Sequence, residues 1–141
     1  MRRLALALLV ATALTGPVSA KDPTGIDWQL LAIDGKVVDI PATLRIEASG
    51  SLSGHAPCNS FGARNLARYP ELDLQGIRST KRACDRLDQE QAFFSALKSM
   101  TRAEQTGERN LVLLGPDGRS MEFVVDLMNS LTVCTTCPKA D

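Results

Sequence analysis

Apolar and polar residues alternate in several short runs along this chain, and each run predicts a strand. Asp27 to Ile33 is the first, carrying the only tryptophan, Trp28, as a core residue, and Asp34-Gly35 turns the chain after it. Val37 to Ile40 fits a short edge strand stopped by Pro41. Thr43 to Ala48 alternates cleanly, with Leu44, Ile46 and Ala48 on one side and Thr43, Arg45 and Glu47 on the other, as a half-buried strand does. Ser49-Gly50 turns the chain and Ser51 to Gly54 begins the return. Leu72, Leu74 and Ile77 mark a further strand, with Gly76 at a bend or bulge. Thr101 to Gln105, Asn110 to Leu114 and Met121 to Leu127 follow. The last two form a predicted hairpin around Gly115-Pro116-Asp117-Gly118.

One stretch has helical spacing instead. Phe93, Ala96, Leu97 and Met100 recur on one face, which reads as core rather than as a cofactor stripe. Asp88 is the expected N-cap, Gln91 completes a capping box with it, and Leu87 staples against Ala92. Lys98 and Arg102 put positive charge near the C-terminal end, where the helix dipole favours it. An amphipathic helix needs an apolar surface to lie on. Strands with hairpin turns around one helix therefore predict an α+β fold, a curved antiparallel sheet with one main helix packed against it.

The N-terminus changes the picture of where this body works. Arg2 and Arg3 precede the apolar run Leu4 to Leu14, and Val18-Ser19-Ala20 supplies small residues, so residues 1–20 are expected to be a secretory signal peptide. The domain then runs from 21 to 127, with 128–141 as a C-terminal tail and 21–25 as a mobile lead-in. No cysteine stands directly after the apolar run to become a lipid-bearing N-terminus, so the expected location is the periplasm or the exterior, without a lipid anchor or a later membrane span. Arg2 and Arg3 are the only charged residues within 1–20. Their removal takes 16 basic residues to 14 against 16 acidic, a net charge of −2. With no basic excess to set against phosphates, nucleic acid is not an expected partner.

Four cysteines, Cys58, Cys84, Cys134 and Cys137, are an even number in a chain expected to reach an oxidising compartment, which favours disulfides. Three pairings are possible, and the favoured one joins Cys58 to Cys84 and Cys134 to Cys137. Cys58 lies in a stretch around which the chain is organised, Gly54-His55-Ala56-Pro57-Cys58-Asn59-Ser60-Phe61. Pro57 interrupts any regular ladder, so Cys58 and Asn59 come from non-repeating backbone. Asn59 is expected to bond nearby backbone groups, and Phe61 to anchor the core.

That stretch is similar to the Gly-x-x-x-Cys-Asn-x-aromatic signature of the META domain, or HslJ-like, family. Thr80, Ala83-Cys84, Glu90 and Phe93-Phe94 resemble its second block, and Leu111-Val112-Leu113 with Asp117-Gly118 its third. The resemblance runs from Trp28 to Val125. Pro57 departs from it where many members carry glycine, and Lys81-Arg82 where methionine is common. It implies a cracked β-barrel with a helix, and it marks Gly54, Asn59, Phe61 and Thr80 as motif residues. It also implies an exported bacterial protein linked to envelope stress, heat induction and antibiotic tolerance, with no established catalytic residues and no cofactor.

Other chemistries have weaker support. Cys134-x-x-Cys137 lacks the following helix that a thiol oxidoreductase needs, because Pro138 comes next. A zinc site on Cys134 and Cys137 would need two more ligands, which Cys58, Cys84 and His55 could supply only if close, with the cysteines reduced, so no metal is expected. His55, with Ser53 and Ser60 near it, lacks a nucleophile-elbow pattern and is expected at a surface or turn. Asp73 with Glu71, and Asp85 with Asp88, could mimic paired carboxylates but fit solvated or capping roles better. The expected function is therefore a non-catalytic structural or interaction module whose partner is an unknown envelope protein. The alternative is a binder of a small apolar ligand or protein segment, held in a cleft between sheet and helix beside Phe93 and Leu97.

Overall fold

The computed structural model describes residues 22–128. The expected signal peptide, most of the C-terminal tail, and Cys134 and Cys137 lie outside the described residues.

The strands are β1 (Asp27–Ile33), β2 (Lys36–Val37), β3 (Thr43–Ile46), β4 (Leu52–His55), β5 (Ser60–Asn65) and β6 (Leu74–Ser79), then β7 (Arg102–Gln105), β8 (Asn110–Leu114) and β9 (Ser120–Val124). The helix α1 (Leu87–Lys98) lies between β6 and β7 in the chain. All strands join one antiparallel sheet in the order β6-β5-β4-β3-β1-β9-β8-β7, with β2 on β1 outside that path. This is the expected α+β architecture.

Alternation decides which side of the sheet is core. Trp28, Leu30 and Ala32 of β1, Leu44 and Ile46 of β3, and Leu111 and Leu113 of β8 are all buried, with half-buried residues between them. The inner face then needs a cover, and α1 supplies it with Phe93, Ala96 and Leu97, followed by Met100, all buried. Two bulges help the sheet curl. One lies in β1 between Leu30 and Ala32; the other lies in β6 opposite Gly62–Arg64, where Gly76 has φ +59°.

The two end strands, β6 and β7, do not pair. The chain just before β6 reaches across instead: the Leu72 N–H donates to the Thr101 carbonyl at 2.8 Å, and the Ala103 N–H to the Pro70 carbonyl at 2.7 Å. The sheet is thus stitched at one end of its seam and open along β6, a barrel with a crack. Leu72, expected inside a strand, is buried in this crossing while the strand itself begins at Leu74.

Two expectations are corrected. The lead-in is held, not loose: Pro23 is fully buried, its carbonyl accepts the Trp28 indole N–H at 3.1 Å, and the Gly25 N–H donates to the Ile46 carbonyl. A buried indole needs an acceptor, and the lead-in supplies it. The helix start also differs. Arg86 stands at the N-cap without a side-chain bond, Asp88 sits inside the first turn, and Leu87 is too exposed to staple. The capping box and staple around Asp88, Gln91 and Ala92 are therefore not formed. The Arg86 N–H points to the Cys84 sulfur at 3.4 Å, just before the helix begins. Asp88 and Glu90 still place negative charge in the first turn, where the helix dipole favours it.

Asp34 and Gly35, with φ +50° and +73°, make the β1–β2 hairpin turn that needs positive φ at both central residues. The Asp34 carboxylate also accepts the Ser120 N–H and the Arg119 Nε–H, both at 3.0 Å. The Ser120 hydrogen bond, then that of Arg119, lowers its pKa from the ordinary 3.8. A lowered folded-state pKa means stability that is present above the unfolded value and lost as pH falls through the folded one. Asp34→Asn, which removes the charge but tolerates the positive φ, is thus expected to lower the unfolding midpoint slightly at neutral pH, with the gap to wild type narrowing in acid. A gap that stays constant through the acid range would count against this role.

Candidate functional site

The central stretch leaves the sheet where the residue types require it. β4 ends at His55 and Pro57 breaks the ladder; the Ala56 N–H then closes the loop onto the Asn59 carbonyl at 2.7 Å, and β5 starts at Ser60. Pairing of β5 with β6, extended by the Thr80 N–H to the Ser60 carbonyl, carries the 80–84 segment back alongside this loop. Cys58 and Cys84 meet there in a disulfide, with Cα atoms 5.8 Å apart. This is the favoured pairing, and it links segments 26 residues apart in sequence.

Asn59 is 4 % exposed, and its side chain uses all of its hydrogen-bonding capacity. Its Nδ2 donates to the Glu90 Oε1 at 2.7 Å and to the Arg82 carbonyl at 3.3 Å. Its Oδ1 accepts the Thr80 hydroxyl at 2.8 Å and the Arg82 N–H at 2.7 Å. Glu90, 6 % exposed on α1, takes the Cys58 N–H on its other oxygen at 2.9 Å. One amide thus ties the loop to the segment before α1 and, through Glu90, to α1 itself. The expectation that Asn59 serves its own turn is corrected: its partners are 21 to 31 residues away. Local spacing could not reveal this, because the partners come close only once β5 and β6 have paired.

The other motif residues support the same junction. The Phe61 ring lies 5.5 Å from that of Phe93 and 5.4 Å from that of Phe94, both edge-on, so β5 grips α1 through an aromatic triad. Gly54 is dictated by close approach. A Cβ there would lie 2.1 Å from the Thr43 carbonyl oxygen and 3.0 Å from the Phe61 ring. Sequence reasoning missed the weight of Glu90. Its signal was a carboxylate at an apolar position of the helix, next to the buried Phe93.

The remaining candidates are not drawn into a common site. His55 is exposed, with Nδ1 3.1 Å from the Ser60 hydroxyl and no carboxylate bonded to either ring nitrogen among the described residues. Glu71 pairs with Arg102, Asp73 accepts from the Gln75 amide, and Asp85 and Asp88 are exposed. Among the described residues no group of three or more His, Cys, Asp or Glu is placed to hold a metal ion. Phe93 and Leu97 are fully enclosed.

The crosslink gives a direct test. Closing a loop of 26 residues restricts the unfolded chain by about 3–4 kcal/mol on the chain-entropy account. Reduction, or Cys58→Ser with Cys84→Ser, is therefore expected to lower stability by about that amount, read from denaturant unfolding. Unreduced protein should show no free thiol at these two positions by mass spectrometry. Unchanged unfolding after confirmed reduction would remove the stabilising role.

The comparisons with known proteins bear on this same stretch. The META domain family model matches residues 21–126. An NMR structure of a protein from Burkholderia xenovorans is similar at 20 % identity and TM-score 0.59, covering 83 % of this chain and 99 % of that one. A second NMR structure is similar at 22 % identity and TM-score 0.54, covering 74 % and 92 %. At these identities the likeness speaks for the fold alone. No curated protein matches.

Proposed function

The chain belongs to the META domain family, and from that premise we propose that it is an exported, non-catalytic module of the bacterial envelope that acts as a structural or interaction part under stress. One observation carries the reading: the motif residues are spent on holding the fold. Asn59 has no hydrogen-bonding atom left over, Glu90 is committed to Asn59 and Cys58, Gly54 clears space, and Phe61 grips the helix. A catalytic motif would leave an acid, base or nucleophile facing open space. A disulfide-held junction also suits an oxidising compartment, in line with the expected signal peptide.

The alternative, an apolar ligand held between sheet and helix, has less to rest on, because Phe93 and Leu97 are already covered by the protein's own packing. A thiol oxidoreductase activity would be revealed by turnover of a disulfide substrate that is lost on Cys134→Ser.

Complementation of a deletion strain tests the proposal. The chain is expected in the periplasmic fraction, and its loss is expected to lower survival under heat or cell-wall antibiotics. His55→Ala and Ser60→Ala should restore survival fully, whereas Asn59→Ala should not. A folded His55→Ala protein that fails to complement would point to chemistry at that histidine and overturn the reading.

A further inference from the structure

Arginine is not evenly used in this molecule. Among the described residues the ion pairs employ Arg45, Arg102, Arg109 and Arg119. Five others, Arg64, Arg68, Arg78, Arg82 and Arg86, join none of them, and of these Arg64 on β5 and Arg78 on β6 are exposed, make no side-chain hydrogen bond among the described residues and share one groove. This groove is a space of about 700 Å³ over β4, β5 and β6. The nearest acids in sequence, Glu71 to Arg64 and Asp73 to Arg78, are not part of its lining; Glu71 pairs with Arg102 and Asp73 is engaged by the Gln75 amide at 2.7 Å.

Glycine leaves the floor of this open groove without side chains. Gly62 and Gly76 lie in its lining, so the backbone between the two arginines is bare. Gly76 is required by its bulge, where φ is +59°. Gly62 is not required by the fold. Its φ is not left-handed, and a Cβ there would meet only the Leu52 carbonyl oxygen, at an ordinary 3.7 Å. A Cβ is therefore tolerated there, and a β-branched side chain in this position of the lining would narrow the groove. Leu66, 63 % exposed, stands in the same lining, so the groove has an apolar wall as well as two cationic groups.

We infer that this groove binds a small anionic amphiphile, a molecule with a carboxylate or phosphate head and a short hydrocarbon tail. The head sits between Arg64 and Arg78, whose guanidinium groups suit either anion. The tail crosses the bare glycine backbone toward Leu66. A space of about 700 Å³ takes a small organic molecule rather than a single ion. This site is separate from the disulfide junction and stands whether or not the proposed envelope role holds.

The probes are decanoate and decyl phosphate, with decanol and inorganic phosphate as controls, added to the exported chain with its disulfide intact. Titration is followed by calorimetry and by amide NMR shifts. Both amphiphiles are expected to bind, to shift the amides of Gly62, Arg64, Leu66 and Gly76, and to weaken with added salt. Arg64→Gln with Arg78→Gln should weaken binding by about tenfold or more. Gly62→Val should do the same by narrowing the groove while the unfolding midpoint stays at or above wild type. The controls should bind at least about tenfold more weakly than the amphiphiles. Decanol binding as tight as decanoate, inorganic phosphate as tight as decyl phosphate, or undiminished binding by the double arginine variant overturns the inference. So does association with phosphatidylglycerol vesicles without binding to the monomeric probes, which would assign the arginines to a membrane surface.

Discussion

Replacing Asn59 by alanine is expected to cost about 3–5 kcal/mol, since it removes four hydrogen bonds and leaves a buried acceptor unpaired. The parts do not weigh equally. The exposed Thr80 hydroxyl can turn to water, so its loss is small. The Glu90 Oε1 is buried, and no other donor to it is present among the described residues. An acceptor stranded there carries most of the penalty. The amount is comparable to much of a small domain's net stability and should lower the thermal midpoint by more than about 10 °C. A double-mutant cycle with Glu90→Ala isolates the pair, and a coupling above about 1 kcal/mol is expected because the two side chains touch. Additive losses, or a total below about 1 kcal/mol, would mean that water replaces the amide.

This residue also shows where sequence reading stops. Alternation fixed the strands, because each inward side chain of β1, β3 and β8 is a consequence of a two-residue period that is visible in the letters. The helix face was visible for the same reason, through Phe93, Ala96, Leu97 and Met100. The cysteine pairing, favoured among three, agreed with the structure for Cys58 and Cys84. What stayed hidden depends on partners far along the chain. Asn59 looked like a turn residue because its partners at 80, 82 and 90 are neighbours only in the fold. Asp88 looked like a cap because the pattern is local, but the helix begins at Leu87, with Arg86 at the N-cap and Asp88 already inside the first turn. Pro23 looked loose because only the buried Trp28 indole gives its carbonyl a partner.

Gly54→Ala is expected to be nearly as damaging, at about 3 kcal/mol, although it adds one methyl group in a strand where alanine usually stabilises by about 0.5–1 kcal/mol over glycine. The sign reverses because of what the methyl meets. Its carbon would lie 2.1 Å from the Thr43 carbonyl oxygen and 2.9 Å from the Thr43 carbonyl carbon, and neither is the free end of a flexible side chain. Relief requires β3 and β4 to separate, and their pairing from Thr43↔His55 to Ile46↔Leu52 resists that along four residue pairs. The third contact, 3.0 Å to the Phe61 ring, passes the disturbance to the triad with Phe93 and Phe94, and so to α1. Gly62→Ala on the next strand is the matched control. Its methyl would meet only the Leu52 carbonyl oxygen, at 3.7 Å, so it should leave stability unchanged or raise it by about 0.5 kcal/mol. Denaturant unfolding of the two variants separates a glycine that the packing demands from one that it does not. Equal stability in the two would mean that β3 and β4 yield at Thr43, and that Gly54 does not set the position of Phe61.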